Sequence, residues 1–332
     1  MEAKYAVSVT SGTTAIALAL MGLGVRPGDE VIVPDITFIA TANAVVLAGA
    51  QPVLVDVDPR TLNVDPDSVA RAINPRTKAI VPVHVSGRGA DMQTVLTIAR
   101  QHGLHVVEDA AEAFMSRQAG RYLGTLGNAG CFSFSPNKTI TTGQGGMIVT
   151  DDESLYVRLR ELKDHGRPIR GTGGDDVHHS IGFNFKFTNL QAAVGLAQLS
   201  YLPSRLSRLQ RIYELYFREL DGLEGIRLPG FRLDLGESPQ WTDAIIQQRD
   251  ELDRYLATQN VHCRRFWFPI HTQAPYHHDD RLFPVSTALC PQAIWLPSAF
   301  TLSDNDVSVV CGHIHEFMAS KTSYRTAAEV AR

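Results

Sequence analysis

Residues 28–57 read GDEVIVPDITFIATANAVVLAGAQPVLVDV, and this segment carries the strongest indication of the fold. Two short runs rich in Val and Ile, Glu30–Val33 and Gln51–Val57, flank a helix-like segment at Thr37–Ala48. Nearly continuous apolar strands are typical of a sheet that is covered on both faces. The stretch therefore predicts a β-α-β unit, in which a helix connects two parallel strands.

The same alternation extends to both sides of this unit. Further strands are predicted at Ala79–His84, His105–Glu108, Cys131–Ser135 and Met147–Thr150. Further helices are predicted at Thr13–Leu23, Pro66–Ala72, Met92–His102, Ser154–Asp164, Asn189–Tyr201 and Ser204–Leu220. We therefore expect a large α/β domain, built on a mostly parallel sheet, over residues 1–221.

A segment rich in Gly and Pro, Gly222–Ser238, predicts the boundary to a smaller C-terminal α+β domain at residues 222–318. In it we expect a helix at Arg249–Gln259, a strand at Cys263–Phe268 and a closing helix at Ser303–Phe317. Residues 319–332 have little apolar content, and we expect them to form a tail without order.

Composition excludes several classes of protein. With 44% hydrophobic and 20% charged residues among 332, the chain can bury a large core and is not disordered. A net charge of −4 argues against a broadly cationic surface for nucleic acid. The four cysteines form no CxxC pair, and His178-His179 and the run 277–280 fit solvated loops better than a metal site. With no signal-peptide pattern and no apolar run long enough to span a bilayer, we expect a cytoplasmic protein without a membrane partner.

Three segments of the parallel-sheet region indicate chemistry. Small and hydroxyl residues at 11–14 (SGTT) precede a helix and suit an anion such as phosphate. Asp109 ends a predicted strand, where α/β sheets bind ligands. Lys138 lies in a turn after a strand and is followed by the Gly-rich run 143–146, so burial would make its amine a nucleophile.

Each segment also has an ordinary interpretation, because helix N-caps and a solvated loop lysine would look the same. Together, however, a phosphate cradle, a buried acid and a sheltered lysine are the three parts that bind pyridoxal 5′-phosphate (PLP). The fingerprints of dinucleotide-binding folds, P-loops and α/β-hydrolases are absent from the sequence, which argues against a nicotinamide-dependent dehydrogenase.

The sequence strongly resembles the DegT/DnrJ/EryC1/StrS family of sugar aminotransferases, which have the type I PLP-dependent transferase fold of aspartate aminotransferase. The resemblance covers most of residues 4–300. The blocks that carry it are SGTTAIAL (11–18), GDEVIVPDITFIATAN (28–43), PVLVDV (52–57), VEDAAEA (107–113), SFSPNKTITTGQGG (133–146) and GFNFKFTNLQAAVGLAQL (182–199). Weaker matches are FPIH (268–271) and LPS (296–298).

The resemblance implies roles for the residues that hold the cofactor. Lys138 would bond PLP covalently, and Asp109 would pair with its pyridine nitrogen. Phe38 would stack on the ring. Three further residues would bind the phosphate: Gly12, Thr13 and Ser133.

The resemblance also implies four further site residues. Asn184 would reach the phosphate of the neighbouring subunit, so that a homodimer shares its active sites. Glu112, where the family often has glutamine, would lie on the 3-hydroxyl side of the cofactor. Lys186, where many members have arginine, would meet the donor's carboxylate, and His271 would border the substrate pocket.

The implied activity is transfer of an amino group from L-glutamate to a nucleotide-linked keto-deoxysugar, a 4-keto-6-deoxyhexose in particular. Two alternatives stay open: a non-catalytic or regulatory PLP-binding homologue, and a PLP-dependent sugar dehydratase or deaminase. Dehydratase relatives carry histidine in place of the lysine, so Lys138 argues against that chemistry. Family members usually carry more residues before the segment that begins here at Lys4, so either the start is misplaced or the pocket is more open.

Overall fold

A computed structural model describes residues 1–168 and 176–330. The helices are α1 (Gly12–Gly22), α2 (Ala40–Leu47), α3 (Pro66–Ala72), α4 (Met92–His102), α5 (Glu153–Leu162), α6 (Asn189–Leu199), α7 (Leu202–Leu220), α8 (Arg249–Thr258), α9 (Pro284–Leu289) and α10 (Asp304–Val330). The strands are β1 (Tyr5–Val9), β2 (Glu30–Pro34), β3 (Gln51–Val55), β4 (Thr77–Ile80), β5 (His105–Asp109), β6 (Arg117–Gln118), β7 (Arg121–Tyr122), β8 (Ala129–Ser133), β9 (Gly146–Thr150), β10 (Ile226–Arg227), β11 (Thr242–Ile246), β12 (Arg264–Arg265) and β13 (Ala293–Leu296).

Seven strands form the large sheet, in the order β1-β9-β8-β5-β4-β2-β3. Every neighbouring pair is parallel except the two that involve β9, which runs antiparallel to β1 and β8. Every residue of β2 is buried, as a strand covered on both faces requires. The predicted mostly parallel α/β sheet is therefore confirmed.

Local chemistry sets the ends of the helices that surround this sheet. Ser11 caps α1 through a capping box with Thr14, in which the Thr14 N–H donates to Ser11 Oγ at 3.1 Å. Asp65 caps α3, whose first residue is Pro66. Gly103 ends α4 in the left-handed conformation, with φ of 65°.

A second, four-stranded sheet has the order β10-β11-β13-β12, with antiparallel pairing throughout. Its core includes Ile212, Leu215, Tyr216 and Leu220 from the second half of α7. The packing of the smaller unit therefore starts before residue 222, the position at which the Gly- and Pro-rich composition suggests a boundary.

Three local expectations are corrected. The predicted helix 37–48 begins only at Ala40, because Thr37 bonds through its hydroxyl to Thr41 (3.1 Å) and the residues before α2 border a cavity. The predicted strand 263–268 is reduced to Arg264–Arg265. The helix predicted to end at Phe317 continues through Val330, into the expected tail, while residues 331–332 lie outside the described part of the chain.

Strands β1, β2, β5 and β8 run in the same direction, so their carboxyl ends lie along one edge of the large sheet. The segments that follow these four strands carry most of the predicted site residues. In the described part of the chain, no helix combines the length and apolar character that crossing a bilayer requires.

Candidate active site

A cavity of about 340 Å³ opens at this edge of the large sheet. Seven of the predicted site residues line it: Gly12, Thr13, Phe38, Asp109, Glu112, Ser133 and Lys138. They come from the ends of four strands, so parallel pairing brings together residues that are far apart in sequence.

Lys138 lies in the turn after β8, where its N–H donates to the Ser135 carbonyl at 3.1 Å. Its side chain is 11% exposed, and Nζ lies 3.7 Å from Oε1 of Glu112 and 4.8 Å from the ring centroid of Trp241. Burial lowers the pKa of Lys138, while the charges of Glu112 and Asp109 oppose that shift. The amine is therefore more readily deprotonated than an exposed lysine, which suits a nucleophile.

Asp109 ends β5 and is nearly fully buried. Its carboxylate accepts hydrogen bonds from the Thr41 hydroxyl (2.7 Å) and the Ala111 N–H (3.1 Å). No cation lies within ion-pair distance of it among the described residues. Burial raises the pKa of Asp109, because desolvation penalises a carboxylate that lacks a positive partner. A cationic N–H in the cavity would supply that partner.

Glu112 lies between the two units of the fold. Its Oε2 accepts from the Ser86 N–H at 2.9 Å, and the Ser86 hydroxyl donates to Asp243 of β11 at 2.7 Å. Ser86 adopts a left-handed conformation (φ 55°), which is uncommon for a residue other than glycine. Burial raises the pKa of Glu112, and the Lys138 charge counteracts it.

The other end of the cavity suits an anion. Gly12 and Thr13 are the first two residues of α1, and no backbone group of the described chain accepts from their N–H groups. A Cβ at Gly12 would lie 2.9 Å from Cβ of Ser133, so only glycine lets the helix terminus approach that serine. Two free N–H groups, the helix dipole and the hydroxyls of Thr13 and Ser133 form a cradle for phosphate.

Phe38 offers an aromatic face to the same cavity. Its side chain is 53% exposed, and its ring centroid lies 5.2 Å from that of Trp267, which also lines the cavity. A planar ligand ring would pack on this surface.

These features together fit PLP. The cradle at α1 would hold the phosphate, and Asp109 would gain a cationic partner from the protonated pyridine nitrogen. Lys138 lies where a covalent bond to the cofactor can form, because Lys138 lines the same cavity as Asp109 and the first residues of α1.

The structure does not bring His271 to the cavity. His271 is fully buried, its Nδ1 lies 2.6 Å from Asp35 Oδ2, and its ring stacks on Phe283 at 4.4 Å between centroids. The buried Asp35 carboxylate requires hydrogen-bond donors, and His271 supplies both its ring and its backbone N–H (2.8 Å). The expectation that His271 borders a substrate pocket is therefore not met, and its contact is with the segment that precedes Phe38.

Lys186 and Asn184 also lie outside the residues that line the cavity. Lys186 Nζ lies 2.5 Å from Asp164 Oδ1, so its charge is already paired. Asn184 forms a β-bridge with Asp164 and is exposed. Within one chain, neither residue therefore lines the cavity.

Three residues of the site were not expected from the sequence: Thr41, Trp267 and Arg264. Thr41 bonds to Asp109, and the other two line the cavity from the smaller unit. The family block at 28–43 includes Thr41 and could have pointed to it. The short run that contains Arg264 and Trp267 carries no local motif.

Comparison with known proteins is consistent with this geometry. The model of the DegT/DnrJ/EryC1/StrS aminotransferase family matches residues 1–315. GDP-perosamine synthase of Escherichia coli O157:H7 is 38% identical over 322 residues, which is 96% of this chain and 87% of that protein.

Solved structures agree in fold. The S. venezuelae protein DesV is 36% identical, with a TM-score of 0.90 over 96% of this chain and 85% of DesV. The Streptococcus pneumoniae protein Spr1654, solved in its PLP form, is 26% identical, with a TM-score of 0.90 over 96% of this chain and 88% of that one.

Proposed function

The chain belongs to the DegT/DnrJ/EryC1/StrS aminotransferase family and is a PLP-dependent sugar aminotransferase, and on that premise we propose that it moves the amino group of L-glutamate to a nucleotide-linked keto-deoxysugar. A 4-keto-6-deoxyhexose is the proposed acceptor. The observation that carries the proposal is the cavity in which Lys138, the buried Asp109 and the α1 terminus face one another.

PLP, when bound, supplies an electron sink that makes the proton on the donor's α-carbon acidic. Lys138 would hold the cofactor through its amine, and as a free amine it would take that proton as a base and return it as an acid. Asp109 would keep the pyridine nitrogen protonated. Phe38 would fix the plane of the ring, and the α1 terminus would hold its phosphate.

The proposal is tested by an amination screen. Purified protein with PLP and L-glutamate is offered several nucleotide-linked keto-sugars, and each product is identified by mass. A gain of one amino group on a keto-deoxysugar is the expected result. If glutamate converts the bound cofactor to its amine form but no keto-sugar is aminated, the acceptor class is wrong.

Replacing Glu112 by glutamine is expected to move the acid limb of the donor half-reaction to lower pH. The Glu112 charge raises the pKa of Lys138, and the base must be neutral. Without that charge, Lys138 stays neutral to a lower pH. The limb is measured by single-turnover absorbance at saturating L-glutamate, with the exposed Glu153→Gln as control. An acid limb that does not move, or that moves to higher pH, would contradict the proposed effect of the Glu112 charge on Lys138.

We also propose that the active protein is a homodimer. Helix α6 buries none of its residues in the single chain, although several of them are apolar. The side chain of Leu190 is 82% exposed and that of Leu196 is 71% exposed. An apolar surface of this kind is typical of an interface between subunits. Asn184 is exposed on the segment that leads into α6, so a second subunit packed there could receive it.

Subunit mixing tests the shared site. Lys138→Ala and Asn184→Ala proteins are each expected to be inactive. If one site uses Lys138 of one chain and Asn184 of the other, a mixed dimer holds one intact site, and part of the activity returns after subunit exchange. Exchange proven by mass, without recovered activity, would place both residues in the same chain's site.

A further inference from the structure

Arg264 is a cation that has no anionic partner among the residues the structure describes. It pairs with Trp295 across β12 and β13, and its guanidinium carbon lies 5.0 Å from the Trp295 ring centroid and 5.4 Å from that of Trp267. Among the described residues, no carboxylate lies within 4.0 Å of it. The aromatic contacts hold the guanidinium in place and leave its N–H donors available to a ligand.

Arg264 also lies where two cavities meet. The 340 Å³ cavity and a neighbouring one of about 310 Å³ share four lining residues, Pro136, Asn137, Lys138 and Arg264. The charge of Arg264 acts on Lys138 and lowers the pKa of that amine. The guanidinium is therefore within electrostatic range of the group that takes the donor's proton.

Few cations compete for an anionic substrate in this cavity. Of its described lining residues, only Lys138 and Arg264 carry a positive charge. Lys138 is the proposed reacting group, and Lys186 lies outside the cavity of its own chain and is paired with Asp164. For a carboxylate bound beside Lys138, Arg264 would supply the positive charge, because Lys138 must be neutral when it takes the proton.

Resting on the proposed aminotransferase function, we propose that Arg264, rather than Lys186, binds the α-carboxylate of the amino donor. That carboxylate is attached to the carbon that gives its proton to Lys138, so it must lie beside the lysine. A guanidinium offers two parallel N–H donors to a carboxylate, which fixes the orientation of the carbon that bears it.

The test compares two substitutions, Arg264→Gln and, at the adjacent residue, Arg265→Gln. Arg265 is paired with Asp250 (3.3 Å) and Asp253 (3.7 Å) and serves as the matched control. On the holoenzyme, Arg264→Gln is expected to raise the KM for L-glutamate about 10- to 100-fold, with a much smaller change in kcat. The keto-sugar is aminated in the second half-reaction, and its KM is expected to stay near the value of the unaltered protein. Arg264→Lys restores part of the affinity, and Arg265→Gln behaves like the unaltered protein.

Calorimetry with glutarate, a five-carbon diacid that lacks the amine, gives a readout independent of turnover. The unaltered holoenzyme is expected to bind it, and Arg264→Gln to bind it about 10- to 100-fold more weakly. A raised KM for the keto-sugar alone would assign Arg264 to the nucleotide phosphates and overturn the proposal. So would an equal fall of kcat with both substrates, which indicates a structural role. If the unaltered protein binds glutarate but transfers no amine from any amino acid, the proposed function is wrong. The calorimetric comparison with Arg264→Gln would then still show whether Arg264 binds a carboxylate.

Discussion

Alanine at position 138 is expected to abolish transamination, with the glutamate half-reaction slowed at least about 10⁴-fold. Lys138 is the only lysine among the described residues that line the 340 Å³ cavity, so no other amine can take over its bond to the cofactor or its proton transfer. PLP would still bind without a covalent bond, because its phosphate is held at the α1 terminus and not by the lysine.

Borohydride reduction and peptide mass give the measurement. In the unaltered protein, reduction should fix the cofactor on the peptide that contains Lys138, and in Lys138→Ala no peptide should carry it. Lys78→Ala, on β4 and outside the cavity, is the control and should keep both the adduct and the activity. A cofactor still trapped on the Lys138→Ala protein would show that another lysine forms the bond.

Asparagine at position 109 is expected to leave PLP bound but to slow the donor half-reaction by about 10²- to 10⁴-fold. Removing one partner of a buried ion pair costs about 3–5 kcal/mol, and each 1.36 kcal/mol in a barrier is roughly a factor of ten. Asp109 receives hydrogen bonds from Thr41 and Ala111 but has no cation within ion-pair distance in the described part of the chain, so its charge is available to the pyridine nitrogen. Asparagine has nearly the same shape and no charge.

A cofactor analogue with carbon in place of the ring nitrogen separates this role from a structural one. Unaltered protein loaded with the analogue should be slow, and Asp109→Asn should slow it little further, because the partner of Asp109 is already gone. Thermal unfolding of each loaded protein checks that the fold is kept. A large additional loss with the analogue would mean that Asp109 acts on something other than the ring nitrogen.

The sequence was most informative where function and local structure coincide. Asp109 and Ser133 end strands of the large sheet and Lys138 follows one, and the alternation of apolar runs and helical segments predicted those strands, whereas β1, which precedes Gly12, was not predicted. Parallel strands in one sheet align their carboxyl ends, so the prediction of the strands already brought these side chains to one edge.

Other contacts depend on pairings that no local pattern contains. His271 lies beside Asp35 across 236 residues, and this partner buries it, whereas its motif had suggested a pocket. Lys186 forms an ion pair with Asp164, so a carboxylate of the same chain already balances its charge.

The β-α-β sheet, the phosphate cradle, the acid and the lysine could be predicted from the sequence, because short-range periodicity and strand ends are local properties. Tertiary packing was needed to show that Arg264 lines the cavity with no carboxylate beside it among the described residues. Arg264 belongs to a strand of two residues that carries almost no periodic signal, and its place beside Lys138 is set by pairing with Trp295 and by packing of the smaller sheet against the cavity. Long-range packing of this kind depends on the shapes of surfaces distant in the chain, which the order of residues in any one segment does not reveal.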